Sequence, residues 1–254
     1  MEKSEYKKRG ANWNYGGSNW KLSRSKIDLF MECPRCFYLD NKLGIKRPST
    51  PPFNLNSAVD ALLKKEFDKY REEQKPHPLM EEYKIDAVPF MHKDIDQWRE
   101  NFVGVQYFDE DLNITISGAI DDIWINKNKE LHIVDYKSTS KDEEITLDDR
   151  WKDSYKRQME VYQWLLRKKG FNVSEIGYFV YANATKDRLD FSNKLEFELT
   201  ILDYVGDPVW VDPTIVKIKE VLESENIPEP GQYCEHCANY KFRKLLESDF
   251  VDML

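Results

Sequence analysis

The sequence predicts an α/β fold in which a central mixed β-sheet is flanked by helices. Two strand-like runs, 113–126 and 130–138, are joined by the turn residues Lys127, Asn128 and Lys129, which makes a hairpin. An amphipathic helical pattern precedes the hairpin at 56–70 and another follows it at 154–169. Further strand-like runs at 176–182 and 189–202 then return the chain to a sheet.

The elements follow in chain order. Residues 1–22 are polar and rich in Gly, Asn and Lys, with Trp13, Tyr15 and Trp20 scattered among them, and are expected to form a flexible arm. From Ser25 onward Ile27, Leu29, Phe30, Phe37, Tyr38, Leu39 and Leu43 recur at helical spacing, and Pro34 divides them into two short helices meeting at Cys33. A loop with Pro48, Pro51 and Pro52 leads into the helix at 56–70, which turns Val59, Leu62, Leu63 and Phe67 inward and carries Asp60. Residues 83–110 carry weak patterns, with a short helix at 94–101. The helix at 154–169 buries Met159, Tyr162, Leu165 and Leu166, another helix is expected at 213–224, and a short one at 240–246.

A chain of 254 residues, 41% hydrophobic and 13% aromatic, can bury one good core, so a single domain over 23–254 is expected after the arm. No apolar run approaches the length of a membrane span, and the first ten residues lack the apolar stretch of a secretory signal. The expectation is a cytoplasmic protein with no membrane partner. The net charge of −8 excludes a uniformly basic surface but allows a local basic groove. Arg24, Lys26, Arg35, Lys42, Lys46 and Arg47 form one candidate group for phosphate contact, and Lys152, Lys156 and Arg157 another. No glycine-rich phosphate loop is present, so the chain carries no ATP motor.

The chemistry concentrates on the hairpin. Side chains alternate along a strand, so Asp135 and Lys137 share one side, and the hairpin register can bring Asp121 beside Asp135. Two carboxylates and an ammonium in one place suit phosphodiester hydrolysis, because hard oxygens hold Mg²⁺ or Mn²⁺ with positions left open for water and phosphate. Ordinary strand-end acids with a solvated lysine give the same local pattern.

Cys33-Pro34-Arg35-Cys36 and Cys234-Glu235-His236-Cys237 form two CxxC knuckles near opposite ends of the chain. Four thiolates suit a structural Zn²⁺ or a four-iron iron–sulfur cluster, and either would join the N-terminal and C-terminal segments. His236 is expected at the surface, because four sulfurs already fill the shell.

Gly118-Ala119-Ile120-Asp121 and Asp135-Tyr136-Lys137 resemble the G-x-x-D and D-Y-K motifs of RecB-like nucleases of the PD-(D/E)XK superfamily. Gln158 and Tyr162 match the family's Q-x-x-x-Y motif, and Cys33-Pro34-Arg35-Cys36-Phe37-Tyr38 resembles its N-terminal C-P-x-x-F-Y helix. The resemblance implies a restriction-endonuclease-like core and a Mg²⁺/Mn²⁺-dependent deoxyribonuclease, exonuclease or endonuclease. Its metal ligands would be Asp121, Asp135 and the Tyr136 carbonyl, with catalytic charge on Lys137 and positioning by Gln158 and Tyr162. Asp60 stands where such enzymes often carry a metal-binding histidine. Iron–sulfur members, CRISPR-associated ones included, place one cysteine early and three late, whereas this chain has two and two. DNA, single-stranded or at ends, is the implied partner, with helicase or CRISPR adaptation proteins beside it, in repair, recombination or CRISPR adaptation. A weak or inactive DNA-binding module, or an accessory subunit of a helicase–nuclease complex, is the alternative.

Overall fold

A computed structural model describes residues 7–49, 51 and 53–251; residues 1–6 of the expected arm and Pro52 of the proline-rich loop lie outside the described residues. The helices are α1 (Arg24–Glu32), α2 (Pro34–Asn41), α3 (Asn54–Glu73), α4 (Pro78–Glu82), α5 (Ile95–Arg99), α6 (Asp153–Lys168), α7 (Val211–Glu223) and α8 (Glu235–Val251). The strands are β1 (Leu22–Ser23), β2 (Ala87–Pro89), β3 (Val105–Asp109), β4 (Ile114–Gly118), β5 (Asp122–Asn126), β6 (Leu131–Thr139), β7 (Ile176–Ala184) and β8 (Phe197–Val205). The described residues divide into two compact units, the larger drawn from 51–109 and 115–211, the smaller from 1–50, 110–114 and 212–254.

The larger unit is built on a five-stranded mixed sheet of order β2-β5-β6-β7-β8. β5 and β6 form the expected hairpin, with Asp122 opposite Val134, and β6 runs parallel to β7. Parallel neighbours need a crossover, and α6 supplies it. On one sheet face α3 lays Leu63 and Phe67 against Trp124, Val134, Tyr136, Tyr178 and Val180. Phe67 stacks on Trp124 at 5.5 Å between ring centroids, and Trp124 on Tyr178 at 5.2 Å. Burying a side chain such as Phe67 contributes about 1.5–3 kcal/mol. The opposite face receives α6, where Met159 packs so closely on Gly177 that a Cβ there would fall 2.3 Å from its sulfur.

Three local expectations are corrected. The run at 113–126 is two strands, β4 and β5, because the Ile120 N–H donates to the Trp98 carbonyl at 3.0 Å instead of continuing a ladder. Leu62 is 63% exposed, since the stripe of α3 that meets the sheet runs through Val59, Leu63 and Phe67. The run at 189–202 becomes a strand only at Phe197; Ser192 and Asn193 adopt positive φ in the preceding turn, which ends strand geometry there.

In the smaller unit, α1 and α2 meet at Cys33 as expected, with Pro34 at the first helical position, where its missing N–H costs nothing. Tyr38 Oη and Lys42 Nζ both donate to the Ser224 carbonyl, at 3.0 and 2.6 Å, tying α2 to the end of α7. Trp20 Nε1 donates to Asn41 Oδ1 at 3.1 Å and Tyr15 packs edge-on against Trp20 at 5.1 Å. α8 extends well beyond the short helix expected at 240–246.

Candidate active site and cysteine centre

Register and alternation place the acids. Asp121 lies one residue before β5, and its Oδ2 accepts the backbone N–H of Tyr136 at 3.1 Å, so its carboxylate is held against the middle of β6. Asp135 is fully buried on the side that faces α6, where Gln158 Nε2 donates to its Oδ1 at 2.7 Å and Lys137 forms an ion pair with its Oδ2. Lys137 Nζ also reaches Gln158 Oε1 at 3.4 Å and lies 4.5 Å from the ring centroid of Tyr155. Burial opposes the Lys137 charge, yet the carboxylates of Asp135 and Asp121 outweigh it and hold this ammonium above the ordinary lysine range.

Gln158 therefore orients both the acid and the lysine. Its Nε2 also donates to Tyr162 Oη at 3.2 Å. Tyr162 explains the glycine of the G-x-x-D segment, since a Cβ on Gly118 would fall 2.6 Å from the Tyr162 ring.

Asp121, Tyr136, Lys137, Tyr155 and Asp60 line one cleft of about 260 Å³. Asp60 Oδ1 is buried with no hydrogen-bond partner. The ammonium of Lys64, one turn further along α3, lies 2.9 Å from Asp60 Oδ2 and 3.0 Å from Asp121 Oδ1. Burial, and then the neighbouring Asp121, raise the Asp60 carboxyl above its ordinary range despite Lys64. Lys64 itself is raised: burial works against its charge, but Asp121 and Asp60 prevail. An acid-rich cleft with one buried, unpartnered carboxylate oxygen fits a hard divalent cation of the Mg²⁺ or Mn²⁺ type.

Beneath the cleft lies a charge network that sequence reasoning missed. Asp122 is fully buried and accepts from Arg71, from Arg99 Nη2 at 3.1 Å, from Tyr136 Oη at 2.7 Å and from the Ile123 N–H at 2.7 Å. Arg99 also grips Asp68 through two bonds of 2.9 Å and donates from Nε to the Asp121 carbonyl at 3.0 Å. The network fixes the backbone of Asp121 and the side chain of Tyr136 together. Stranding a buried charge in such a network costs about 3–5 kcal/mol.

The four cysteines come together in the smaller unit, with all their sulfurs within 4.8 Å of one another. His236 is exposed, as expected. Several basic candidates are engaged elsewhere. Arg35 donates to the Pro228 carbonyl, Lys42 to that of Ser224, and Arg47 to both oxygens of Glu32. Lys152 is buried and pairs with Asp149 at 3.1 Å, so its amine faces the protein instead of a phosphate.

Among the described residues no helix is long and apolar enough to cross a membrane. No curated protein matches the chain. One solved structure, described as the crystal structure of SSO0001, is 14% identical over 82% of this chain and 79% of its own, with a TM-score of 0.37; a likeness at that score bears on neither fold nor function. The sequence model of the PD-(D/E)XK nuclease superfamily matches residues 21–241, a span that holds Asp60, the β5–β6 hairpin with its acids and lysine, the Gln158 helix and all four cysteines. On that match, the chain belongs to the PD-(D/E)XK nuclease superfamily.

Proposed function

We propose that the protein is a Mg²⁺- or Mn²⁺-dependent deoxyribonuclease of the RecB-like type, hydrolysing phosphodiester bonds in single strands or at DNA ends. The observation that carries this reading is the convergence of Asp121 and Lys137 on one cleft, with Asp135 and Gln158 gripping the lysine from behind. Asp60, Asp121, Asp135 and the Tyr136 carbonyl would hold the ion, which when bound supplies an acidified water and a counter-charge for the phosphate.

The chain's own groups then have defined tasks. Lys137, ion-paired with Asp135 and 3.4 Å from Gln158 Oε1, would act as a fixed cation for the charge that develops on phosphorus. Gln158 and Tyr162 act as positioning residues, keeping Lys137 and Asp135 in register. A nuclease of this type would serve repair, recombination or CRISPR adaptation, alone or beside a helicase.

The geometry also favours a second reading, a DNA-binding module of weak activity, because Lys64 already spans Asp60 and Asp121. Labelled single-stranded and blunt duplex DNA incubated with Mn²⁺ separates the two. Cleavage by the wild type and not by Asp121→Ala supports the enzyme. Equal cleavage by both, or DNA binding without cleavage, refutes it.

A further inference from the structure

We infer that the four cysteines hold a single zinc ion, not an iron–sulfur cluster. The sulfur spacing carries this assignment. Cys33 Sγ lies 3.8 Å from Cys237 Sγ, and Cys36 Sγ lies 3.5 Å from both Cys234 Sγ and Cys237 Sγ. All four sulfurs lie within 4.8 Å of one another. A tetrahedral zinc–thiolate bond of about 2.3 Å gives, by simple geometry, a sulfur–sulfur edge of about 3.8 Å. Three of the six sulfur–sulfur edges therefore lie within about 0.3 Å of that value, and the other three do not exceed 4.8 Å.

A four-iron cluster does not fit this arrangement. Each thiolate would bind a different iron at a different cluster corner, which spreads the sulfurs beyond the edge of a single-ion tetrahedron. A two-iron cluster fits no better. It divides the sulfurs into two pairs on two irons, whereas Cys36 here is equally close to Cys234 and Cys237.

The surroundings suit four thiolates on one divalent ion, a group with net charge −2. Cys33 caps α2 and Cys234 immediately precedes α8, so both knuckles sit at positive helix ends, which favour thiolate. Cys33 Sγ accepts backbone N–H groups from Cys36 at 3.4 Å and Gly231 at 3.3 Å. A Cβ on Gly231 would fall 2.1 Å from the Glu32 carbonyl oxygen, so only glycine brings that N–H to the sulfur. Arg47 Nη2 donates to Cys234 Sγ at 3.3 Å while its Nη1 is held by Glu32, placing a fixed cation against the thiolates.

The full chain, purified without oxygen and treated with iron and sulfide, tests the assignment by elemental analysis and absorption spectroscopy. The expected result is one zinc per chain, a colourless protein and a spectrum unchanged by the treatment; exchange with Co²⁺ should then give the visible bands of a tetrahedral four-thiolate ion. Several irons per chain with broad visible absorption would overturn it. So would four freely titrating thiols in protein that retains no metal. Neither outcome depends on nuclease activity.

Discussion

The acid cleft and the cysteine centre differ in what each would offer a metal ion. The cleft offers hard oxygens and fills the space between them with the protein's own ammonium groups, Lys64 across Asp60 and Asp121, Lys137 against Asp135. The cysteine centre offers soft sulfurs already at single-ion spacing, with Cys33, Cys36 and Cys234 buried. An ion entering the cleft would compete with fixed cations and meet water, so it would bind reversibly and exchange ligands with substrate. An ion among buried thiolates replaces only protons, and its binding energy becomes folding energy. On the readings proposed above, the contrast would separate an ion that serves chemistry from an ion that serves structure.

The largest expected effect comes from the sulfur side. Structural zinc contributes on the order of 10 kcal/mol of apparent binding free energy in small domains. Cys36→Ser should therefore unfold the smaller unit or lower its melting temperature sharply in calorimetry. EDTA at a concentration that strips the cleft should leave that transition in place, and loss of the transition with EDTA alone would erase the contrast.

Next is the lysine. Removing a preorganised charge of this kind costs about 10²- to 10³-fold in turnover. Lys137→Ala should show that loss in single-turnover cleavage, together with a lowered melting temperature, because the fully buried Asp135 loses its ion-pair partner. A variant within a few-fold of wild type would place the catalytic charge elsewhere.

A smaller effect sharpens the idea of competing cations. Lys64→Met removes an ammonium about 3 Å from two acids, and should tighten Mn²⁺ binding roughly tenfold in calorimetry. Weaker binding would mean that Lys64 organises the acids instead of blocking them.

The smallest effect concerns pH. Because burial and Asp121 raise the Asp60 carboxyl, its proton returns at a higher pH than for an ordinary carboxylate. Metal needs the ionised form, so Mn²⁺ affinity should fall as pH is lowered through that raised value, and Asp60→Asn should move the fall to lower pH. The stability contribution has the opposite sign. A raised carboxyl binds its proton more tightly folded than unfolded, so what it adds to stability is lost as pH rises through the folded value.

Much of this architecture was legible in the sequence, because short-range periodicity writes it there. The β5–β6 hairpin, α3 and α6 each carry their own pattern, and alternation along β6 put Asp135 and Lys137 on one side. The CxxC spacing likewise announced the cysteine pairs, though not the distance between the two knuckles, which is set by α1, α2 and the segment around Gly231. The network under the cleft was illegible for a different reason. Asp122 meets Arg71 and Arg99 across 51 and 23 residues, and Arg99 meets Asp68 across 31, and no local pattern encodes such meetings. One signal was available: strand alternation turns Asp122 away from Asp121, toward the face that α3 covers, where an acid requires partners. Lys64 was equally readable as the i+4 companion of Asp60.

The proposed metal cleft is tested most directly by calorimetric titration of Mn²⁺ into the wild type and Asp121→Asn, each purified in the same way. A divalent-ion isotherm is expected in the wild type and should be abolished or strongly weakened in the variant, at equal melting temperature. Identical isotherms for the two proteins, or no Mn²⁺ binding to the wild type, would contradict it.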